Sequence, residues 1–172
     1  MDVRRESEAT PMMNRTTVER KSEREFVVTR TFNAPARIVF EAWTKPELLK
    51  RWWVPKSIGV SLLSCEADVR TGGTYRFVFG HAASEQPMAF FGRYIEVTPH
   101  SRLVWTNDET VDGAVTTVTF EEKDGKTLLV MHELHPSKEA LDANAGMENG
   151  MPETFAQLDE LLVTLGASVG RS

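Results

Sequence analysis

Hydrophobic and polar positions change their rhythm several times along the chain. Residues 25–33 are rich in Phe, Val and Thr and read as a strand. Pro35 suits the first turn of a helix, where its missing N–H costs nothing. Ala36, Val39, Phe40 and Trp43 then recur at helical spacing and give that helix one apolar face. Thr44 and Glu47, with Pro46 between them, match a capping box and start a second short helix. It carries Leu48, Leu49, Trp52 and Trp53, and Pro55 closes it.

The middle of the chain reads as strand and turn. Strands are predicted near 60–69, 73–80, 88–98, 101–108, 113–123 and 126–135. Gly72-Gly73, Asp112-Gly113 and Asp124-Gly125 supply turn chemistry, and Pro99-His100 marks another reversal. Tyr75, Phe77 and Phe79 alternate with Arg76 and Val78, so one face of that strand is aromatic. Short turns between consecutive strands make an antiparallel meander.

Helical rhythm returns at the end. Met151, Phe155, Leu158, Leu162 and Leu165 follow a 4-3-4-3 spacing, with Pro152 in the first turn and Gly166 as the stop. Residues 136–150, with Pro136 and two glycines, read as a mobile approach to that helix. The order predicts an α+β domain in which a curved seven-stranded antiparallel sheet wraps a long C-terminal helix. Such a curved sheet leaves a space between itself and the helix, a natural small-molecule cavity.

Residues 1–24 carry no aromatic side chain, and their six basic residues nearly balance five acidic ones. So little apolar surface cannot offset the entropy of ordering. The segment is expected to be a flexible tail, with the domain covering 25–168. Met12 and Met13 are alternative starts, and an arm pairing with a partner subunit is the competing reading of the tail.

Composition narrows the function classes. The net charge of −5 disfavours a broad nucleic-acid surface. No apolar run is long enough to span a bilayer, so integral membrane association is not expected. No charged-then-apolar leader opens the chain, and Cys65 is the single cysteine, which excludes an internal disulfide. A reducing cytoplasm is the expected compartment.

A series of motifs resembles a known family. It begins with Thr29-Arg30-Thr31-Phe32-Asn33-Ala34-Pro35, Val39-Phe40-Glu41-Ala42-Trp43-Thr44, Pro46-Glu47-Leu48 and Trp52-Trp53-Val54-Pro55. It continues through residues 66–77 (Glu66 to Phe77), Gly92-Arg93-Tyr94-Ile95-Glu96-Val97, Arg102-Leu103-Val104, residues 116–120, His132 and Gly150-Met151. This order resembles the activator of heat-shock-protein-90 ATPase-like family over residues 25–166. The resemblance implies the SRPBCC (START-like, birch-allergen-like) superfamily and its helix-grip fold. It says little about function, because that superfamily hosts lipid carriers, cyclases, hydrolases and co-chaperones. Met151 departs from the aromatic residue usual at this point, and with Met88 and Met131 it suits a softer pocket.

Catalytic and metal chemistry find little support. Glu66, Asp68 and Arg70 share one strand face, where an ion network with Arg70 or Arg76 is a better reading than a carboxylate pair. His132 and His135 point to opposite faces of one strand, so no ligand pair for a metal emerges and no cofactor is expected. No nucleophile elbow is present, and Cys65 reads as a buried inert thiol. The aromatic residues carry more weight. The expected lining of the cavity is Trp43, Trp52, Tyr75, Phe77, Phe79, Phe91, Trp105, Phe155 and Leu158, with His132 as polar anchor. Of the adjacent Trp52 and Trp53, one should pack inward and the other lie at a rim. The expected function is binding of a small apolar or amphipathic molecule. The alternatives are a co-chaperone-like interaction module with a chaperone partner, and a pocket enzyme using His132 as acid or base. Sheet edges and the tail also offer surfaces for a homodimer.

Overall fold

The computed structural model describes residues 16–54, 60–81, 86–108, 113–143 and 145–170. Eight strands form one antiparallel sheet: β1 (Thr17–Ser22), β2 (Glu25–Phe32), β3 (Val60–Ala67), β4 (Thr74–His81), β5 (Met88–Thr98), β6 (Arg102–Thr106), β7 (Val115–Lys123) and β8 (Lys126–Leu134). Their spatial order is β1-β2-β8-β7-β6-β5-β4-β3. Helices α1 (Ala36–Thr44) and α2 (Pro46–Trp52) follow β2, and α3 (Lys138–Ala143) and α4 (Ala145–Gly170) close the chain. This is the α+β helix-grip arrangement. β3 to β8 run as a meander, and β2 inserts the chain's first half beside its last strand.

The sheet has one strand more than the seven expected. β1 lies within the segment read as a tail and pairs antiparallel with β2, Val18 opposite Val28. Only Val18 of β1 packs on the core, and the other five residues are exposed. An edge strand so poor in apolar residues leaves no hydrophobic period to read.

The alternation of β2 is complete: Phe26, Val28, Arg30 and Phe32 face inward, and their neighbours are half-exposed. Rows of paired residues carry this face across the sheet. Val28, Met131, Val118 and Leu103 form one row, each opposite the next. Phe26, Glu133, Thr116, Trp105 and Tyr94 form the adjacent one. α1 lays Ile38, Val39, Ala42 and Trp43 on the core, and α4 adds Met151, Phe155, Leu158, Leu161 and Leu162.

Three helix boundaries differ from expectation for local reasons. The Thr44 hydroxyl donates back to the Phe40 carbonyl at 2.9 Å, closing α1, so Lys45 takes the N-cap of α2 with no side-chain bond and the capping box does not form. Residues 136–150 are largely helical. Ser137 caps α3 by accepting the Ala140 N–H at 3.1 Å, and fully buried Leu141 anchors it. α4 begins at Ala145 and runs through Gly166, so Pro152 sits inside the helix. There it withholds one N–H from the carbonyl four residues earlier.

Turn chemistry holds where two residues must reverse the chain. Asp124 (φ 55°) and Gly125 (φ 79°) both take left-handed backbone between β7 and β8, as a type I′ hairpin requires. Gly92 serves a different need: a Cβ there would lie 1.8 Å from the Thr106 carbonyl oxygen. Only glycine lets β5 pass this close to the end of β6.

Candidate functional site

All four tryptophans of the chain gather at one region of the inner face. Trp43 of α1 lies between Trp52, Trp53 and Trp105, with ring centroids 4.9, 5.6 and 6.0 Å away. Phe155 of α4 touches Trp43 from the helix side at 6.1 Å. The short helices hold this cluster by polar ties. The Trp52 indole N–H donates to the Ala42 carbonyl at 2.9 Å, filling one of the acceptors left open at the end of α1. Gln157 of α4 donates its amide to the carbonyls of Trp52 (3.1 Å) and Val54 (2.8 Å), which stops α2.

Burial divides the inner face into two parts. Under α4, Phe26, Val28, Leu129, Val118 and Phe155 are sealed from solvent. Toward β3, β4 and β5 the face opens. Leu62, Phe79, Phe90 and Trp53 are half-buried, and Met88, opposite Phe79, is 58% exposed. Phe79 and Phe90 meet edge to face at 5.1 Å, and Trp53 reaches Phe77 at 5.7 Å. A continuous aromatic band thus leads from the tryptophan cluster to the open end of the sheet.

The expected lining residues fall into distinct places. Trp43, Trp52, Tyr75, Phe77, Trp105, Phe155 and Leu158 all come together on this face, and all are buried. Trp43, Trp52 and Phe155 are in direct ring contact, so this part is packed core rather than open wall. Phe79 lies on the band. Phe91 does not: it stands opposite Arg76 on the outer face, 41% exposed, and Phe90 takes the inward position because it pairs with Phe77. His132 likewise belongs to the outer face, with Nε2 2.8 Å from the Glu25 carboxylate. Its strand partners there are Val27 and Thr117. The inward position belongs to Glu133. Trp53 is the rim tryptophan. Of the three methionines expected to soften the pocket, Met131 and Met151 are core and Met88 lies at the opening.

Polar groups on this face are few. The Tyr75 hydroxyl donates to the Thr106 carbonyl at 2.7 Å. Burial pushes the Tyr94 phenol well above its ordinary range, and the nearby Cys65 thiol adds to the effect. Burial also pushes the Cys65 thiol up to about 11, so it stays protonated and unreactive near neutrality. The Trp43 indole N–H is buried without a hydrogen-bond partner. Glu133 is buried with both oxygens engaged, one 2.8 Å from His135 Nε2 and the other accepting the Thr116 hydroxyl at 3.0 Å.

Elsewhere, Arg70 pairs with Asp68 at 2.9 Å on the exposed surface, in the turn just past the end of β3 rather than along a strand face. Among the described residues no three His, Cys, Asp or Glu side chains converge as a metal would need. None of their helices is long and apolar enough to cross a membrane. One surface groove of about 480 Å³, lined by Thr31, Glu122, Lys126 and Leu128 among others, lies at the β7–β8 hairpin and takes in no residue of the aromatic band.

The profile of a family described as "Activator of Hsp90 ATPase homolog 1-like protein" matches residues 33–163. The chain belongs to that family. With it comes membership of the SRPBCC superfamily, in agreement with the sheet and helix order above. A crystal structure of a Nitrosomonas europaea protein superposes with a TM-score of 0.76 at 27% identity, covering 86% of this chain and 99% of that one. A Rhodobacter sphaeroides protein gives 0.77 at 26% identity, with 87% and 99% covered. An Aeromonas hydrophila protein that carries the family's name superposes at 0.64 with 18% identity, over 78% of this chain and 93% of that one, and shows the fold alone. No functionally curated protein matches the chain.

Proposed function

We propose that this family member binds a small apolar or amphipathic molecule between the open part of its sheet and the C-terminal helix. The observation that carries this reading is the half-buried band of Leu62, Phe79, Phe90 and Trp53, ending at exposed Met88. The same face is sealed elsewhere, so an apolar strip left open at one end is what a ligand would complete. The unpartnered Trp43 N–H beside the band adds a donor that a ligand oxygen could satisfy. Covering ~200 Å² of apolar surface contributes about 5 kcal/mol.

The competing readings have less to stand on. A pocket histidine cannot be His132, which faces outward. Leu63, Phe91 and Ile95 open to solvent on β3 and β5, a starting point for an interaction module. They are spread along the strands with exposed Arg76 and Arg93 among them rather than joined in one patch.

Titration with the neutral dye N-phenyl-1-naphthylamine tests the reading. Saturable, one-to-one enhancement of its emission, weakened by Trp53→Ala and by Phe90→Asp, is the expected result. An unsaturable response, or one that both variants leave unchanged, contradicts it.

A further inference from the structure

The open end of the aromatic band lies beside α2, and the first charged side chain at that rim is Lys50. α2 packs against β3 and buries Leu49 and Trp52, and Trp53 follows it with helical backbone (φ −63°, ψ −29°). Counted at about 100° per residue, Lys50 lies about 60° from Trp53, Glu47 about 120° and Arg51 about 160°. Around the helix the order is Leu49, Trp53, Lys50, Glu47, Arg51, so Lys50 comes directly after the rim tryptophan. Trp53 is the ring that reaches Phe77 of the band at 5.7 Å. Exposed Lys50 therefore flanks the half-buried end of the band, where solvent already enters, and not the sealed core under α4.

Cys65 marks the sheet side of this rim. It stands half-buried on β3 opposite Phe77, and the Lys50 charge acts on its thiol more strongly than that of Glu47. The thiol stays protonated near neutrality and does not neutralise the lysine. Among the described residues Lys50 takes part in no ion pair, whereas Lys45 and Lys138 are held by Glu41 and Asp142 one turn away. None of the inward residues that make the band, Leu62, Phe77, Phe79, Met88 and Phe90, is acidic, and Glu66 of β3 stands opposite Arg76 on the outer face. A second cation faces inward: Arg30, whose buried Nε has no partner. It lies on β2, near the edge of the sheet opposite β3, with Asp159 at 3.3 Å and Thr16 at 2.8 Å. Its guanidinium sits over Phe32 at 5.4 Å, under α4 rather than at the opening.

We propose that Lys50 holds the polar end of the ligand, so that the site selects amphipathic molecules with a carboxylate end over those with an ammonium end. This deepens the ligand-binding reading and rests on it. The apolar body lies along Leu62, Phe79 and Phe90, and the carboxylate meets the lysine at the rim, where both keep part of their water. The desolvation that makes buried ion pairs costly is thus avoided, and the attraction is modest and screened by salt. An ammonium in the same place meets a like charge. The net charge of −5 favours cations over anions near the surface as a whole, so a preference for carboxylate has to come from this local charge.

Decanoate and decylammonium, two ten-carbon probes of opposite charge, test the proposal. Each is titrated near neutral pH, below its micelle-forming concentration, in competition with N-phenyl-1-naphthylamine. Decanoate is expected to displace the dye from the wild-type chain at concentrations roughly threefold to tenfold below decylammonium. Lys50→Glu should reverse that order. Arg51→Glu, which makes the same change of net charge on the solvent side of α2, should keep it. Decylammonium displacing as well as decanoate from the wild-type protein, or Arg51→Glu shifting the order as far as Lys50→Glu does, overturns the selection and leaves the ligand-binding reading intact. Failure of both probes in a protein that binds the dye also overturns the selection, since no charged end then reaches Lys50 from the band. If neither dye nor probes bind, both readings fall. Both variants change exposed residues, and the wild-type comparison stands without them.

Discussion

The Trp52 indole N–H donates to the Ala42 carbonyl at 2.9 Å, and this bond joins the two short helices at their most buried point. Ala42 lies in the last turn of α1, where carbonyls have no partner within the helix. Trp52→Phe removes the donor and leaves that acceptor buried and unpaired. The expected loss is about 1–3 kcal/mol in urea unfolding. Trp52→Ala adds a cavity and should cost about 3–5 kcal/mol. A Trp52→Phe variant as stable as wild type would show that the bond contributes nothing.

Gly92 makes a second, steric prediction. Its absent Cβ leaves room for the Thr106 carbonyl, which also accepts the Tyr75 hydroxyl. In Gly92→Ala the clash is with backbone, so β5 and β6 must part. The variant should lose more than about 2 kcal/mol or fail to fold, by thermal melting, against little change for an alanine at an exposed strand site.

The thiol of Cys65 gives a prediction about pH. Burial raises it to about 11, so the thiolate fraction in the folded protein near neutrality is very small. Alkylation by iodoacetamide in the folded chain should be slower than in the urea-unfolded chain by roughly tenfold or more and should accelerate as pH rises toward 11. The sign for stability follows: the unfolded thiol ionises first, so its contribution is intact below pH 9 and declines between 9 and 11. Equal labelling rates in folded and unfolded chains would contradict the burial of this group.

Acid should act through carboxylates held below their ordinary range. The His132 and Ser22 bonds lower Glu25, Arg93 lowers Asp108, and Arg20 with Lys138 lowers Asp142. Each contributes stability above the ordinary values of 4.5 for Glu and 3.8 for Asp, and loses it as pH falls through the lowered ones. Asp142 is exposed and Glu25 and Asp108 are half-buried, so salt should weaken the effect. Urea midpoints that stay level as pH is lowered through this range would contradict it.

Much of the fold was legible in the chain because its signals are local. The Pro35 and Pro46 helix starts, the Asp124-Gly125 hairpin and the apolar stripe of α4 each rest on a few neighbouring residues. Errors arose where strand parity had to be chosen. Leu128 to Met131 is apolar on both faces, so hydrophobicity alone does not say whether His132 or Glu133 turns inward. The outcome is set by pairing, which places Glu133 beside Phe26 and Thr116. Phe90 and Phe91 pose the same question, decided by the Phe77–Phe90 pairing. Which of Trp52 and Trp53 stays at the rim was open in the sequence; Trp53 takes that place, and its link from Trp43 to Phe77 comes from tertiary packing. α3 escapes such a reading because Pro136 and the nearby glycines point to a loop, and its hold on the domain comes from the Ser137 cap and from Leu141, buried by distant parts of the chain.

Acceptance of a small molecule by the open aromatic band is decided by native mass spectrometry of freshly purified protein, mixed with N-phenyl-1-naphthylamine and compared with the denatured mass. A non-covalent adduct of one molecule per chain is expected, lost in Phe90→Asp while the variant keeps its native charge-state distribution. A bare polypeptide mass at saturating dye, or an adduct that Phe90→Asp retains in full, would contradict it.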